Sequence, residues 1–285
     1  MCSSDDSFTL PPTCHYNPCL AMMVASAPHL SHKIEISIII PVYNERQFIE
    51  EVLCRVQAVN LKNEFQIEKE LIVVDDGSVD GTREWLVAMQ EQQATGISEA
   101  EVQGGKAKLR LDNIRFLFQR QNRGKGAALR LGFAEASGSI VLIQDADLEL
   151  DPQDYPKLLE PILAGRADVV YGSRFLGESD QTYYSAHLLG NRFLKALSNL
   201  LTNMKISDME TCYKVFRREI LTGIRLQSDR FGFEPEFTAK IARGKWRVCE
   251  VPISYTGRTY KEGKKINWRD GLETIWCILR FNLFR

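Results

Sequence analysis

Short runs of β-branched residues alternate along this chain with segments of helical periodicity, starting at Glu35. The run ISIII at 36–40 is followed by apolar residues at i, i+3 and i+4 spacing over 48–56, and then by the run LIVV at 71–74. This order predicts a β-α-β unit. The alternation continues with predicted strands at 114–118, 139–143 and 167–172 and predicted helices at 124–136 and 152–164.

These predicted strands are apolar at nearly every position rather than at every second one. Strands of that kind are covered by helices on both faces, as in parallel sheets. We therefore predict an α/β fold with a doubly wound, mainly parallel sheet. Ligands of such sheets bind beyond the carboxyl ends of the strands, so a functional site is expected at that edge.

The second half of the chain, from about Gly177, has a less regular pattern. It predicts an α+β extension, then a basic loop at 257–269 and an aromatic-rich segment at 272–285. That last segment has two interpretations: a helix packed on the core, or an interfacial helix whose aromatic residues enter a membrane surface. The elements predicted in the extension are helices at 191–202 and 235–243 and strands at 211–216 and 246–255.

The composition narrows the class of protein. The chain has 285 residues, of which 44% are hydrophobic and 26% charged, and its formal net charge is −1. These values are typical of a globular protein and provide no overall attraction to nucleic acid. No apolar run approaches the roughly 18 residues of a transmembrane helix. Seven scattered cysteines without a CxxC pair argue against a disulfide framework, so the expected compartment is the cytoplasm.

Residues 1–33 mix Pro, Ser, Cys and His without periodicity, and they lack the basic start and apolar centre of a signal peptide. Cys14, His15 and Cys19 match no zinc spacing. We predict a disordered leader at 1–33 and a single domain over 34–285.

Three predicted strands end in polar residues, at 40–45, 73–78 and 144–149. Function is expected where these ends meet. If the extended conformation continues past the third strand, Asp145, Asp147 and Glu149 project to the same side, because side chains alternate along a strand. Converging carboxylates repel unless a cation lies between them, and hard oxygen ligands suit Mg²⁺ or Mn²⁺. The alternative is a solvated acidic strand end.

The segment NRGKGA at 122–127 resembles a phosphate-binding loop only superficially, because it lacks the GxxxxGK[ST] spacing. We therefore reject a P-loop. Gly124 and Gly126 are instead predicted to permit close packing at the start of a helix.

The motifs IPVYNE, VVDDGS, NRGKGA, QDADLE and VVYGSRF, in this order and at predicted strand ends, resemble those of family-2 glycosyltransferases with the GT-A fold. The resemblance extends from Glu35 to the C-terminus. It is strongest to the dolichyl-phosphate mannose synthase group and its bacterial polyprenyl-phosphate relatives, because GSRF follows the DAD motif and PISYxxRxYxxGKK follows near the end. It implies a nucleotide-sugar half at 34–176, an acceptor half at 177–256, and a basic loop with an amphipathic helix at 257–285.

The resemblance also implies roles for individual residues. Those that would hold the base and ribose of the nucleotide sugar are Pro41, Tyr43, Glu45, Val74 and Asp76. Those that would contact its diphosphate and the metal are Asp145, Ala146 and Asp147, with Glu149 as the third metal-side ligand. Those that would close over the donor are Arg174, Arg258 and Lys264. The catalytic set is Asp147, Arg174 and Arg192.

The implied activity is metal-dependent, inverting transfer of a hexose, mannose or glucose, from a GDP- or UDP-sugar to a polyprenyl (dolichyl or undecaprenyl) phosphate. Such an enzyme would act as a peripheral protein on the cytoplasmic face of a membrane. Two alternatives remain open: a glycosyltransferase acting on a saccharide hydroxyl in polysaccharide or cell-envelope synthesis, and a non-catalytic nucleotide-sugar-binding protein.

The acceptor decides what the second half must supply. A phosphomonoester, whose second pKa is about 6, is already an anionic nucleophile at neutral pH and needs cations, for which Arg174 and Arg192 are the candidates. A saccharide hydroxyl needs a general base instead. The candidate bases are Asp208, Glu210, Glu234 and Glu236.

Overall fold

A computed structural model describes residues 35–101, 108–176, 185–258 and 268–284. The predicted leader at 1–33 and the predicted donor contact Lys264 lie outside these residues.

Within the described residues, seven strands form one sheet in the order β5-β2-β1-β6-β8-β7-β9, and β3 and β4 form a separate antiparallel pair. In chain order the strands are β1 (Glu35–Val42), β2 (Glu68–Asp75), β3 (Glu99–Glu101), β4 (Lys108–Arg110), β5 (Ile114–Phe118), β6 (Ile140–Ile143), β7 (Val169–Ser173), β8 (Lys214–Arg217) and β9 (Val248–Pro252).

Strand direction gathers the polar strand ends at one edge. All neighbours in the large sheet pair in parallel except β8, which is antiparallel to both β6 and β7. The other six strands therefore run the same way, and their carboxyl ends share one edge. The predicted doubly wound, mainly parallel sheet is confirmed, and β8 belongs to the predicted α+β extension.

The helices follow the predicted alternation, with some additions. In chain order they are α1 (Ile49–Ala58), α2 (Leu61–Phe65), α3 (Thr82–Ala94), α4 (Lys125–Glu135), α5 (Tyr155–Leu163, preceded by a 3-10 turn at Pro152–Asp154), α6 (Ser185–Thr202), α7 (Ile220–Gly223), α8 (Phe233–Arg243) and α9 (Trp268–Leu283). The predicted helices at 124–136 and 235–243 agree with α4 and α8 to within two residues. The sequence has no strong hydrophobic period at α2, at α7 or in the β3–β4 pair, so these elements were not predicted.

Both faces of β1 are covered, since the five residues from Ile36 to Ile40 are all fully buried. Helix α4 packs on β1 and β2. The contact is close at Gly132, where an added Cβ would lie 3.3 Å from Val74 Cγ2 and would overlap Ile39 Cγ2. A glycine at this position lets the helix approach the centre of the sheet.

Replacing Gly132 with alanine is expected to destabilise the fold. Alanine gains roughly 1 kcal/mol of helix propensity, but overpacking at a tight core contact costs about 1–3 kcal/mol, so the net effect is unfavourable. The overlap with Ile39 puts the cost in the upper part of that range, so the free energy of unfolding, measured by urea denaturation, should fall by about 1–2 kcal/mol. Gly223→Ala is the matched control, because an added Cβ there meets nothing within 4 Å. An unchanged midpoint for Gly132→Ala would contradict the close contact.

The C-terminal segment forms α9, which packs on α6 and α8. Its inner face is buried through Cys277, Ile278 and Phe281, which supports the core interpretation. Its outer face nevertheless exposes Leu272 (58%) and Trp276 (56%). None of the helices in the described ranges combines the length and apolar character needed to cross a membrane.

Candidate active site

The exits of β1 and β2 are joined by hydrogen bonds. The Asp76 amide donates to Val42 O (2.8 Å), and the Asn44 amide donates to Ser78 Oγ (2.9 Å). In the sheet, Pro41 is paired with Val74, whose side chain is fully buried. Only the backbone of Val74 can therefore contact a nucleotide. The other predicted base and ribose contacts on β1 and its exit are Pro41 and Tyr43, both partly exposed, and Glu45, which is buried.

Asp76 is buried and organises the segment that leads into α4. Its carboxylate accepts hydrogen bonds from the Arg123 amide (2.8 Å), the Gly124 amide (2.7 Å), Gln119 Nε2 (2.9 Å) and Asn122 Nδ2 (2.8 Å). Burial raises the pKa of Asp76, and the two backbone amides oppose that rise. Both carboxylate oxygens thus accept hydrogen bonds from the protein. In this arrangement Asp76 holds the segment 119–124 in position beside the site.

The acidic motif after β6 is not extended. The strand ends at Ile143 and the following residues bend. The Glu149 amide donates to Asp147 Oδ1 (3.1 Å), a side-chain turn that competes with strand conformation. The extended conformation that would place Asp145, Asp147 and Glu149 on one side therefore does not continue past Ile143. Asp145 instead has a separate partner from the other two carboxylates.

Arg258 lies between three carboxylates. Its Nη2 is 2.6 Å from Asp147 Oδ2, its Nη1 is 3.1 Å from Glu45 Oε2, and its Nε is 3.6 Å from Glu149 Oε1. The aromatic ring of Phe48 packs on the guanidinium, with the ring centroid 5.3 Å from Cζ. The structure thus brings together Glu45, Asp147, Glu149 and Arg258, all of them predicted site residues. We refer to the three carboxylates as the acidic cluster.

The backbone of Arg258 is anchored to the loop after β6. The Thr256 amide donates to Glu149 O (2.8 Å), and Leu150 and Tyr255 form an antiparallel bridge. The Glu149 carboxylate also accepts from the Tyr255 hydroxyl (3.0 Å) and from the Arg258 amide (2.8 Å). The position of Arg258 Cα is therefore fixed relative to the acidic cluster, whereas its side chain has only polar contacts and one ring to hold it.

The side chains around Arg258 have the chemistry of a divalent-cation site, although they do not stand in metal-binding geometry. No group of three acidic, histidine or cysteine side chains in the described ranges has metal-binding geometry. Burial and the neighbouring Asp145 raise the pKa of Asp147 to about 7, and Arg258 opposes that rise. Hard carboxylate oxygens around one cationic group fit Mg²⁺ or Mn²⁺, for which Asp147 and Glu149 are the nearest ligands.

Lys125, at the start of α4, is a site residue that the sequence did not identify. Its Nζ lies 3.0 Å from Asp145 Oδ1 and 3.0 Å from Glu234 Oε1. Burial disfavours the ionised form of Asp145, but the charge of Lys125 and the hydrogen bonds of Cys212 and Lys125 together lower the pKa of Asp145. The sequence signal was the lysine between Gly124 and Gly126, which pack closely on the 228–230 segment as predicted. Rejecting a P-loop left that lysine without a role.

Arg174 follows β7 at the same edge and is paired with Asp208. Its Nε and Nη2 donate to the two carboxylate oxygens at 2.7 and 2.8 Å, and its guanidinium lies over the ring of Tyr255 (5.2 Å). Arg192 is different: it is exposed on α6, and within the described residues it makes no ion pair with the acidic cluster. The structure therefore brings Arg174, but not Arg192, into contact with other predicted site residues. Ala146, the middle residue of the DAD motif, is buried.

Three of the four candidate bases of the second half have cationic or backbone partners. Asp208 is bound to Arg174 and Glu234 to Lys125, while Glu236 accepts from the amides of Gln227 (2.8 Å) and Ser228 (2.6 Å). Burial and Glu234 raise the pKa of Glu210 to about 8, so this carboxyl is mostly protonated at neutral pH. Among the described residues, Glu210 Oε1 and Glu234 Oε2 are buried without a hydrogen-bond partner.

The family model for glycosyl transferase family 2 matches residues 37–224. The chain belongs to that family, and its sheet is the GT-A fold. The crystal structure of glucosyl-3-phosphoglycerate synthase from Mycobacterium tuberculosis with phosphoglyceric acid has a TM-score of 0.60 at 20% identity, covering 87% of this chain and 80% of that one. The same enzyme with Mn²⁺, uridine-diphosphate and glucosyl-3-phosphoglycerate has a TM-score of 0.58 at 21% identity, with the same coverage.

Curated relatives are similar over most of this chain. Dolichol-phosphate mannosyltransferase of Pyrococcus furiosus is 30% identical over 236 residues, which are 81% of this chain and 59% of the relative. Undecaprenyl-phosphate 4-deoxy-4-formamido-L-arabinose transferase of Proteus mirabilis is 27% identical over 230 residues, 81% of this chain and 62% of the relative. The chain thus spans about three fifths of the length of these relatives.

Proposed function

We propose that this protein transfers a hexose, mannose or glucose, from a GDP- or UDP-sugar to a polyprenyl phosphate. In a single displacement, a phosphate oxygen of the lipid forms a bond to the anomeric carbon as the bond from that carbon to the nucleoside diphosphate breaks. The product is a lipid phosphodiester, and the configuration at the anomeric carbon inverts. Two relatives are named for sugar transfer involving dolichol phosphate and undecaprenyl phosphate, which supports this choice of acceptor.

The observation that carries the proposal is the pairing of candidate bases of the acceptor half with cations. Asp208 is bound by Arg174 and Glu234 by Lys125, so a hydroxyl would have to compete with a cation for either carboxylate. A lipid phosphate requires no proton removal, since it is already anionic. The site supplies cations at the same sheet edge instead, which is what two phosphate groups require.

The roles of individual residues follow from their positions. Asp147 and Glu149 would hold Mg²⁺ or Mn²⁺, which when bound supplies positive charge to the departing diphosphate. Arg258, which is paired with Asp147, would contact the diphosphate, and Arg174, which is held by Asp208, would contact the phosphates. Pro41, Tyr43 and the Val74 backbone form the side of the site proposed for the base and ribose. Lys264 and Arg192 remain proposed contacts for the donor and the acceptor.

The direct test is a screen of radiolabelled GDP- and UDP-hexoses with a short polyprenyl phosphate and Mg²⁺ or Mn²⁺. Label should enter the organic phase with one donor, and EDTA should stop it. Label that enters only saccharide products would instead support the hydroxyl-acceptor alternative. Nucleotide-sugar binding without any turnover would support the non-catalytic alternative.

Glu234→Gln is expected to retain transfer to a polyprenyl phosphate within about tenfold of wild type. The substitution removes a charge but leaves Lys125 paired with Asp145, and a phosphate nucleophile needs no base. A hydroxyl acceptor that relied on Glu234 would lose roughly 10²- to 10⁴-fold. Steady-state kinetics measures the difference, with Glu219→Gln on the surface as the control. A loss of 10²-fold or more in a folded variant would contradict the phosphate acceptor.

The outer face of α9 is the proposed contact with a membrane surface. Leu272, Trp276 and Leu283 are exposed at spacings that place them on one stripe, while the opposite face is buried. An exposed apolar stripe on a packed helix matches an interfacial helix rather than a spanning one. The four cysteines in the described ranges are free thiols, consistent with the reducing, cytoplasmic side of a membrane.

The double substitution Leu272→Ser and Trp276→Ser should leave the protein folded and weaken its cosedimentation with anionic vesicles at least threefold. Burying each of these side chains in a lipid interface would stabilise the bound state by on the order of 1.5–3 kcal/mol. Val79→Ser is the control, because Val79 is 80% exposed but lies on the loop before α3. Equal sedimentation of the double variant and the control would contradict a membrane contact through α9.

A further inference from the structure

The Arg258 guanidinium occupies the space between the carboxylates that are proposed to hold a divalent ion. It is within 4 Å of Glu45, Asp147 and Glu149 at once. A divalent ion bound by Asp147 and Glu149 would lie next to this positive group. Two cations at that separation repel, and the repulsion is stronger in a partly buried site than in water. The ion and the guanidinium therefore compete for the same carboxylates.

The backbone of Arg258 is anchored, which limits how its side chain can give way to a divalent ion. The backbone of 255–258 is bound to Glu149 and Leu150, so Arg258 cannot leave the site without breaking these contacts. Movement of the guanidinium alone would break its ion pairs but leave the backbone contacts intact. Its Nε is also buried and, among the described residues, has no hydrogen-bond partner, although buried donors are normally satisfied. The guanidinium thus retains capacity for an additional acceptor.

A diphosphate provides that acceptor. Its oxygens bind guanidinium groups through charge-assisted, often bidentate hydrogen bonds. When a nucleoside diphosphate enters, the guanidinium can exchange carboxylate partners for phosphate partners, which frees Asp147 and Glu149. A free metal ion brings no such replacement partner for the arginine.

We propose that Arg258 is a specificity-determining residue that makes the acidic cluster accept a divalent ion together with a nucleoside diphosphate in preference to the free ion. The inference rests on the proposed function, because it takes the acidic cluster as the metal site. Metal and nucleotide then bind cooperatively, and by linkage each raises the affinity of the other by the same factor.

The experiment measures Mn²⁺ binding to the protein from the electron paramagnetic resonance signal of free Mn²⁺, with and without GDP or UDP, and a titration without protein accounts for the Mn²⁺ that the nucleotide binds by itself. Wild type should bind Mn²⁺ at least about tenfold more tightly with its nucleoside diphosphate than without it, within the usual range of coupling between sites. Arg258→Gln should bind Mn²⁺ alone at least about tenfold more tightly than wild type does. Arg258→Lys, which retains the charge, should resemble wild type. Arg110→Gln is the control, because Arg110 is exposed and pairs with Asp112.

The outcomes separate this inference from the proposed function. A thermal unfolding curve first shows that Arg258→Gln is folded. If this variant then binds Mn²⁺ alone as weakly as wild type does, the role of Arg258 is overturned, while the transfer activity of wild type is unaffected. If wild type binds Mn²⁺ equally well with and without the nucleotide, the inference is also overturned. If no variant binds Mn²⁺ under any condition, the metal site itself is wrong, and the screen with lipid phosphate shows whether transfer proceeds without it.

Discussion

Asp147→Asn is expected to reduce the kcat of sugar transfer by at least about 100-fold with either Mg²⁺ or Mn²⁺. The substitution keeps the size of the side chain but removes one anionic ligand next to the departing diphosphate, and losing one electrostatic element at such a position costs on the order of 10²- to 10³-fold. The Asx-type hydrogen bond from the Glu149 amide can still be accepted by the asparagine oxygen, so the fold should persist.

The measurement is steady-state transfer with saturating donor and metal. Asp112→Asn is the matched control, since Asp112 is exposed and its ion pair is with Arg110 rather than with the acidic cluster. A variant at Asp147 that is as active as this control, or an enzyme equally active in EDTA, would contradict the metal role of the acidic cluster.

Lys125→Met should lower the free energy of unfolding by roughly 1–3 kcal/mol. The lysine neutralises Asp145 and Glu234, each 3.0 Å from its Nζ, while its own side chain is 16% exposed and that of Asp145 is 29% exposed. Removing one member of a partly buried ionic group leaves an uncompensated charge, and solvent at Asp145 keeps the loss below that of a fully buried group. Adding Glu234→Gln to Lys125→Met should recover part of the loss, because only one carboxylate then lacks a counter-charge.

Urea denaturation measures this effect. Lys108→Met is the control, because Lys108 forms an exposed pair with Glu99 at 3.3 Å, and exposed pairs are worth about 1 kcal/mol or less. A loss below about 1 kcal/mol for Lys125→Met, or no recovery in the double variant, would show that Lys125 is not the counter-charge of these two carboxylates.

Much of the sheet could be predicted because its signal is local. The residues of β1, β2 and β5 form apolar runs bounded by polar residues, and burial on both faces explains that pattern. The common edge of the strand ends followed from parallel pairing alone. The antiparallel direction of β8 did not follow, because strand direction depends on connections through the less regular second half.

The site was harder to predict, since it depends on contacts between residues distant in sequence. Glu45 and Arg258 are more than 200 positions apart, yet they are in contact. The bend after Ile143 depends on one side-chain hydrogen bond, from the Glu149 amide to Asp147, that competes with strand geometry. Lys125 acquires its role only because α8 places Glu234 opposite Asp145. Residue types indicated the chemistry, whereas the pairing of charges required the structure.

Arg174 and Arg192 also show that residue type alone does not predict which side chains meet at the site. Both were proposed as phosphate contacts from residue type and resemblance. Arg174 is oriented by Asp208 at the edge where the strands end, whereas Arg192 is exposed on α6. Among the described cations, Arg174 and Arg258 are therefore the stronger candidates for contacts with the reacting phosphates.

The central claim is that the nucleophile is a lipid phosphate, and phosphorus NMR of the reaction tests it most directly. The protein is incubated with its nucleotide sugar, divalent metal and a short polyprenyl phosphate, and the lipid phosphorus signal is followed with time. We predict that the phosphomonoester signal is replaced by a phosphodiester signal in an amount equal to the nucleoside diphosphate released. Consumption of the donor with the lipid phosphomonoester signal unchanged, whether by hydrolysis or by transfer to a hydroxyl, would contradict the claim.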